Sequence, residues 1–220
     1  MIKHWIFDLD GTLLDTAQDL ARAVQDTLFV FKLPSVTLEE TKTFIGGGVR
    51  QFIKLALKQH GNDPVFFETF LAAYMIRYEA YQLEGARIYP GISPLLKTLK
   101  DQGYHAYIFS NKPHALTVKL IDHVFPKLFK GVHGHIPGTL PKPDRTMYDI
   151  FAKKHHIDET QSVFIGDSPP DIEMGQRLGM PTIAVTYGYT DEKILRSFHP
   201  TKVVHRASEI EAAVKSLHKK

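Results

Sequence analysis

Residues 4–15 read HWIFDLDGTLLD, a stretch in which an apolar run meets two closely spaced aspartates and a glycine. A run of this kind predicts a short buried strand over residues 4–9, followed by a turn. Similar runs recur further along the chain, at His105–Phe109, Ser162–Ile165, Thr182–Val185 and, more weakly, Lys202–Val204. Helical patterns lie between most of them. Strands that alternate with helices predict an α/β fold, with a Rossmann-like parallel sheet covered by helices on both faces.

Residues 16–86 interrupt this alternation with an almost entirely helical pattern. Thr37 and Glu40 have the spacing of a capping box at the start of a helix. Asp63-Pro64 marks the start of a long pattern rich in Phe, Tyr, Leu and Met at helical spacing. We interpret the region as four helices inserted after the first strand, with the aromatic residues in the core of the insertion.

The insertion divides the chain into two predicted domains. Residues 1–15 and 87–220 form the α/β core, and residues 16–86 form an all-helical cap. Linkers are expected near residues 14–17 and 85–89. Because only two short linkers hold the insertion, it can move as a lid over the core.

Composition limits the classes of function that fit this chain. Its 220 residues are 43% hydrophobic and 23% charged, with a net charge of +3, which is typical of a globular protein. The only basic clusters are short, such as Lys153-Lys154 and the terminal Lys219-Lys220, so no nucleic-acid partner is expected. The sequence has no cysteine, which excludes disulfides and thiolate sites. Neither a signal peptide nor a membrane span is indicated, and a cytoplasmic location is the default expectation.

Four carboxylates come directly after predicted strands or shortly beyond them. Asp8 and Asp10 follow the first strand, Asp167 follows a later strand, and Asp171 lies four residues further on. Ligands of open parallel sheets bind at the carboxyl ends of the strands, so these side chains are expected to converge if their strands are neighbours. Clustered carboxylates repel one another unless a cation neutralises them, and oxygen ligands favour Mg²⁺ where a phosphate is also bound.

A phosphate also requires hydrogen-bond donors and positive charge. Ser110-Asn111-Lys112 follows the second strand of the core, and Lys142 lies in a proline-flanked loop. A hydroxyl, an amide N–H and a lysine can hold phosphoryl oxygens. Each residue also has a purely structural interpretation: Ser110 or a single aspartate as a helix cap, Lys142 as a solvated charge, and Asp171 as a first-turn residue.

Together these motifs resemble the haloacid dehalogenase superfamily over the whole chain. The family's D-x-D-G-T signature is matched by Asp8-Leu9-Asp10-Gly11-Thr12. The serine of the second motif is matched by Ser110, the lysine of the third by Lys142, and the G-D-x-x-x-D motif by Gly166-Asp167 together with Asp171. The second aspartate of the signature favours phosphate-ester hydrolysis over dehalogenation, because an alkoxide leaving group needs a proton and a halide does not.

The resemblance implies a role for each matched residue. Asp8 is the nucleophile that forms an aspartyl-phosphate, and Asp10 is first the acid and then the base. Mg²⁺ is held by the Asp8 carboxylate, the Asp10 backbone carbonyl and Asp167, while Asp171 supports the metal shell or Lys142. The expected phosphate-binding residues are Thr12, Ser110, Asn111 and Lys142.

Narrower features resemble the phosphoglycolate phosphatase-like branch, including its C1 cap inserted after the first motif. They are Tyr89-Pro90-Gly91, Ser110-Asn111-Lys112-Pro113, Tyr187-Gly188-Tyr189 and the glycine-rich Gly46-Gly47-Gly48-Val49-Arg50. The glycine-rich segment is either a plain loop or a substrate-facing element with Gly47 and Arg50 as cap contacts. Asp144-Arg145 replaces the usual end of K-P-x-P, and Pro169-Pro170 replaces small or polar residues in the fourth motif.

Other functions remain open at this point. The same fold serves phosphosugar mutases, and the same core could hydrolyse pyrophosphate or nucleotides. A receiver-like phospho-acceptor domain also clusters aspartates around Mg²⁺, but it lacks the inserted cap and is shorter. The expected partner is a small phosphorylated substrate bound by a monomer or a homodimer.

Overall fold

The computed structural model describes residues 1–218 and has the α/β fold with a helical insertion that the sequence predicts. Its core is a six-stranded sheet with the strand order β5-β4-β1-β6-β7-β8, in which all neighbouring strands are parallel. The strands of the described residues are β1 (His4–Phe7), β2 (Leu14–Asp15), β3 (Arg87–Ile88), β4 (His105–Pro113), β5 (Gly131–His135), β6 (Ser162–Gly166), β7 (Thr182–Val185) and β8 (Lys202–Val204).

Helices cover the sheet and form the insertion. They are α1 (Ala17–Val30), α2 (Leu38–Phe44), α3 (Val49–Leu57), α4 (Pro64–Tyr81), α5 (Ile92–Asp101), α6 (His114–Val124), α7 (Thr146–His155), α8 (Pro169–Arg177), α9 (Glu192–Ser197) and α10 (Ile210–Lys215). Four short 3-10 segments accompany them, at Lys58–Asn62, Glu159–Gln161, Ala207–Glu209 and Ser216–His218.

Strand β1 lies at the centre of the sheet and packs on both faces. Trp5 and Phe7 join one apolar cluster, whereas Ile6 between them joins a second cluster on the opposite face. All three are at most 1% exposed. Burying one large apolar side chain contributes roughly 1.5–3 kcal/mol, so this strand is firmly held on both sides.

Strand β5 was not predicted, because its sequence does not look like a buried strand. It reads Gly-Val-His-Gly-His and pairs with β4 at the edge of the sheet. The ring of His133 stacks on Phe109 of β4, with 5.3 Å between the ring centroids. Ring stacking and an edge position replace the apolar alternation that a sequence pattern detects.

The insertion has its own apolar core. Helices α1 to α4 are the four helices predicted, and the aromatic residues Phe70, Tyr74 and Tyr78 of α4 are at most 1% exposed within it. The predicted capping box is present, with Glu40 N donating to Thr37 Oγ1 at 3.1 Å.

The two linkers to the insertion pair with each other. Strand β2 runs antiparallel to β3, with Leu14 opposite Ile88 and Asp15 opposite Arg87. The predicted domain boundaries fall beside this ribbon. The chain therefore enters and leaves the cap at one point, which is the arrangement that a hinge requires.

Two predictions, one about a membrane and one about a nucleic-acid partner, concern the surface of the protein. No helix within residues 1–218 is long and apolar enough to cross a membrane. Lys153-Lys154 lies in the last turn of α7, where positive charge interacts favourably with the helix dipole. The predicted basic tail Lys219-Lys220 lies outside the described residues.

Candidate active site

The candidate site lies where β1 ends between its two neighbours. Phe7, the last residue of β1, is level with Ile108 on one side and Ile165 on the other. Asp8 follows at once, and its backbone N–H donates to the Ile165 carbonyl at 2.9 Å. Asp167 comes directly after β6. The parallel register therefore brings both aspartates to the same edge of the sheet, as predicted.

Three carboxylates converge there. Asp8, Asp167 and Asp171 each offer an oxygen within 4.8 Å of the others, and all three residues are buried. Burial raises the pKa of Asp167 well above its usual range, and the charges of Asp171 and Asp8 add to the effect. Burial together with the charge of Asp8 raises the pKa of Asp171 to about 6. A set of oxygen donors that repel one another fits a hard divalent cation, which would relieve the repulsion.

Lys142 provides positive charge beside this cluster. Its Nζ lies 2.9 Å from Asp8 Oδ1 and 2.6 Å from Asp171 Oδ1, and it donates to the Phe109 carbonyl at 3.0 Å. Burial alone would lower the pKa of this lysine, but the ion pairs with Asp171 and Asp8 outweigh burial and raise it. Lys142 is therefore a permanent ammonium group next to Asp8, not a solvated loop charge.

Asp171 is engaged through both of its oxygens. Oδ1 accepts a hydrogen bond from Lys142 Nζ. Oδ2 accepts hydrogen bonds from Ser168 N at 3.0 Å and Ser168 Oγ at 2.5 Å. It is the third residue of α8, so it also lies in the first turn of a helix, as the alternative structural interpretation of Asp171 predicted. A Cβ at Gly166 would lie 2.3 Å from its side chain, which explains the glycine of the fourth motif. These contacts suit a residue that positions Lys142.

Thr12 was predicted to bind phosphate, and in the structure its side chain contacts Asp167. Its side chain is completely buried, and Oγ1 donates to Asp167 Oδ1 at 2.8 Å. The other oxygen of Asp167 accepts from Tyr189 N at 2.9 Å. Gly11 has a φ of 86°, and a Cβ there would lie 2.2 Å from Asp167 Oδ2. The end of the D-x-D-G-T motif therefore packs against Asp167 and orients its carboxylate.

Asp10 lies slightly outside the cluster, towards the cap. Its Oδ1 accepts from Thr16 Oγ1 at 2.7 Å and from Lys112 Nζ at 3.2 Å. Its side chain is 12% exposed, whereas the side chain of Lys112 is 1% exposed. Both contacts use Oδ1 and leave Oδ2 outside this pair of interactions.

The side chains of Ser110 and Asn111 make different contacts. Ser110 lines the pocket described below, as a phosphate-binding hydroxyl must, and its Oγ accepts from Lys112 N at 3.3 Å. The Asn111 side chain is used within the protein: Oδ1 accepts from Lys142 N at 2.7 Å, and Nδ2 donates to the Gly46 carbonyl at 2.8 Å. Its side chain is therefore not free to bind phosphate, and it joins the core to the glycine-rich segment of the cap.

A pocket of about 460 Å³ lies between the core and the cap. The core contributes polar residues and the cap mostly apolar ones. Its lining consists of Asp8, Asp10, Leu20, Phe44, Ile45, Gly46, Gly48, Val49, Phe52, Tyr74, Tyr78, Ser110, Asn111, Lys112 and Pro113. This volume includes solvent at the open mouth of the pocket, and a polar floor under an apolar cover suits a small molecule.

The two cap residues predicted to contact the substrate do not line this pocket. Gly46 and Gly48 do, but a Cβ at Gly47 would point at the side chain of Gln51, 2.0 Å from its Oε1. Arg50 is exposed on the outer surface of the cap, where it makes a two-pronged ion pair with Glu68. Gly46 and Gly48 thus line the pocket, whereas Arg50, which was predicted as a carboxylate contact, pairs with Glu68 outside it.

Three residues of the pocket received no individual role from the sequence. Lys112 looked like one part of a motif, and Tyr74 and Tyr78 looked like part of an apolar stripe. The two tyrosines lie four residues apart, hence on one face of α4, and their rings stack with 5.6 Å between centroids. A pair of hydroxyl-bearing side chains at this spacing was the available signal.

Tyr189 connects the acidic cluster to the linker at the end of β2. Its N–H holds Asp167, while its hydroxyl donates to Asp15 Oδ1 at 2.9 Å and accepts from Thr16 N at 2.7 Å. A Cβ at Gly188 would lie 2.4 Å from the Asp167 side chain. These contacts give the Tyr187-Gly188-Tyr189 motif a structural reason.

Cation binding by the acidic cluster is expected to depend on pH. Protonated Asp167 and Asp171 cannot hold a cation, and their raised pKa values mean that protons compete up to about pH 6 or above. Saturating Mg²⁺ should raise Tm by about 5–10 °C at pH 8, and by clearly less at pH 5. Differential scanning fluorimetry measures both shifts. Asp167→Asn should lose the shift and Asp122→Asn, an exposed control, should keep it; an equal shift at both pH values would contradict the cluster as the binding site.

Aspartates lie at the ends of neighbouring strands of a parallel sheet, with a buried lysine between them and a helical cap above. This arrangement defines a capped α/β hydrolase. More specifically, the chain belongs to the haloacid dehalogenase-like hydrolase family, whose model matches residues 5–185. The predicted superfamily is thereby confirmed, and with it the assignment of the chain as an enzyme of the phosphatase class.

Its relatives support the predicted branch. The chain is 33% identical over 208 residues to the phosphoglycolate phosphatase of Aliivibrio fischeri, covering 92% of each protein. It is 30% identical over 207 residues to the phosphoglycolate phosphatase of Pseudomonas savastanoi pv. phaseolicola, covering 92% of this chain and 76% of that protein.

Solved structures share the fold. A crystal structure from Haemophilus somnus, described as a predicted phosphoglycolate phosphatase, has a TM-score of 0.87 and 25% identity, covering 97% of this chain and 98% of the other. A β-phosphoglucomutase-like structure from Bacteroides vulgatus has a TM-score of 0.79, covering 100% of this chain and 91% of the other. At 19% identity, this second similarity concerns the fold alone.

Proposed function

We propose that this protein is a Mg²⁺-dependent phosphatase that hydrolyses phosphoglycolate, or a closely similar small phosphate ester, through an aspartyl-phosphate on Asp8. The observation that carries the proposal is the placement of Asp8. It lines the pocket between core and cap, lies 2.9 Å from the Lys142 ammonium, and shares the acidic cluster with Asp167.

In the first step, an oxygen of the Asp8 carboxylate forms a bond to phosphorus, and the bond between phosphorus and the ester oxygen breaks. Asp10 gives its proton to that leaving oxygen. In the second step Asp10, now a carboxylate, takes a proton from water, and the resulting hydroxide attacks phosphorus to free Asp8 and inorganic phosphate. Lys142 offsets the negative charge around Asp8, and Ser110 donates to a phosphoryl oxygen.

The cation belongs to the same proposal. Asp8 and Asp167 would hold it, together with the Asp10 backbone carbonyl, and Asp171 would act mainly by positioning Lys142. When bound, Mg²⁺ supplies charge neutralisation at the phosphoryl group. The oxygen-only donor set supports a hard cation of this kind.

The helical insertion is proposed to act as a lid. Residues 16–86 join the core through one paired ribbon, and their apolar residues cover the pocket above Asp8. Closure of such a lid excludes water from the reacting atoms. A cytoplasmic location is expected for an enzyme of small metabolites.

The alternatives have less support. Similarity to the mutase-like structure concerns the fold only, and no contact in the pocket favours pyrophosphate or a nucleotide. The relatives at 30% identity or above named here are phosphoglycolate phosphatases, which favours that branch.

A substrate screen with metal removal tests the proposal. The purified protein with Mg²⁺ should release inorganic phosphate from phosphoglycolate with a kcat/KM at least about tenfold above those for glucose 1-phosphate, AMP and pyrophosphate. EDTA should remove this activity, and added Mg²⁺ should restore it, because the charge at phosphorus is otherwise unbalanced. Full activity in EDTA would refute the metal role, and a mutase would convert the sugar phosphate without releasing phosphate.

A further inference from the structure

Lys112 is the second buried lysine near Asp8 and Asp10 after Lys142, and the chemistry outlined above does not use it. Of the residues that line the pocket, all within the described part of the chain, it alone carries positive charge. It comes from the end of β4, and its ammonium group lies under the cap, 4.5 Å from the centre of the Tyr78 ring. It also contacts the Tyr78 hydroxyl.

The two lysines of the site differ in the donors they have left. Lys142 has three close partners: it donates to Asp171 and to the Phe109 carbonyl, and it forms an ion pair with Asp8. Lys112 uses two, on Asp10 and Tyr78. An ammonium group has three donors, so Lys112 keeps one for a molecule in the pocket.

Tyr74 adds a second unused donor. Its side chain is fully buried and lines the same pocket, yet its hydroxyl has no hydrogen-bond partner among the described residues. Burial raises the pKa of this phenol well above its usual value, so the hydroxyl keeps its proton. A buried hydroxyl left unpaired is energetically unfavourable, and a bound acceptor would relieve that cost.

The position of these donors indicates which part of a substrate they face. Asp10 acts on the ester oxygen of the leaving group, and Lys112 Nζ is 3.2 Å from Asp10 Oδ1. Tyr74 and Tyr78 belong to α4 of the cap, whereas the carboxylates of the acidic cluster belong to the core. Lys112 and Tyr74 therefore lie beside the leaving group, not beside the phosphoryl oxygens.

We propose that Lys112 and Tyr74 form a subsite for an anion carried by the leaving group, so that they select phosphate esters with a carboxylate close to the ester oxygen. This inference rests on the proposed phosphatase function and specifies its substrate class. A carboxylate two bonds from the ester oxygen, as in phosphoglycolate, reaches Lys112 while Asp10 serves that oxygen. The subsite takes the place of Arg50, which the structure directs away from the pocket.

The test compares two substrates that differ only in this anion: phosphoglycolate and 2-hydroxyethyl phosphate, in which a neutral CH₂OH replaces the carboxylate. Lys112→Met should lower kcat/KM for phosphoglycolate, mainly through KM, at least about tenfold more than it lowers kcat/KM for the neutral ester, whose loss measures the contact of Lys112 with Asp10. Lys112→Arg should restore part of the loss. The control is Lys119→Met, which removes an exposed ion pair between core and cap, Lys119 with Glu79, outside the pocket.

Tyr74→Phe keeps the test decisive if the lysine variants do not fold. It removes only an unpaired hydroxyl, and it should lower kcat/KM for phosphoglycolate about 5- to 10-fold without affecting the neutral ester. Equal losses on both esters would overturn the inference, because they would assign Lys112 to Asp10 or to the phosphoryl group. A wild-type protein that hydrolyses both esters equally well would also overturn it, with the proposed phosphatase left standing. No turnover of either ester would refute the proposed function itself.

Discussion

Replacing Asp8 with asparagine is expected to abolish turnover of every phosphate ester, lowering kcat by on the order of 10⁴-fold or more. An amide oxygen is a poor nucleophile and cannot form the acyl phosphate through which the reaction is divided into two steps. The substitution also removes one of the three clustered charges, so cation binding should weaken. Lys142 keeps its contact with Asp171, and the fold should therefore persist.

Loss of activity alone would not separate a nucleophile from a metal ligand. Acid-quenched samples analysed by mass spectrometry should show one added phosphoryl group on the peptide that contains Asp8 in the wild type, and none in Asp8→Asn. Asp122→Asn changes an exposed aspartate of α6 in the same way and should behave like the wild type. Retained turnover by Asp8→Asn, or a phosphoryl group on another residue, would end the assignment.

The sequence predicted the parts of this site that are determined locally. Asp8 and Asp167 each follow an apolar strand, and parallel strands bring their carboxyl ends to one edge, so convergence follows from the order of elements. The same holds for the capping box of Thr37 and Glu40, which lie within one helical turn. Strand β5 was missed because ring stacking of His133 replaces the usual apolar pattern.

Roles that depend on a distant partner could not be predicted. Thr12 donates to Asp167, which is 155 residues away, and the residues next to Thr12 in the sequence do not indicate that contact. Arg50 is 18 residues from Glu68, and only the packing of α3 against α4 brings the two side chains together. The position of Lys112 in the pocket depends on Tyr78 of α4, which contacts it from 34 residues away in the sequence.

Replacing Asp10 with asparagine is expected to separate the two chemical steps. With phosphoglycolate, whose alkoxide must be protonated as it leaves, kcat should fall about 10²- to 10⁴-fold. With p-nitrophenyl phosphate, whose phenolate leaves without a proton, Asp8 should still be phosphorylated. Hydrolysis of the aspartyl-phosphate should then stall, because the variant also lacks the base that activates water.

This variant should therefore give a burst of nitrophenolate close to one equivalent per protein, followed by slow turnover, whereas the wild type shows no burst. Its Mg²⁺-dependent rise in Tm should be preserved, because the Asp10 side chain is not part of the acidic cluster. Asp167→Asn provides the opposite pattern, because it should lose the Tm shift and, like the wild type, show no burst. If Asp10→Asn slowed both substrates equally and accumulated no phosphorylated Asp8, Asp10 would be a structural partner of Thr16 and Lys112 and not the acid and base of the reaction.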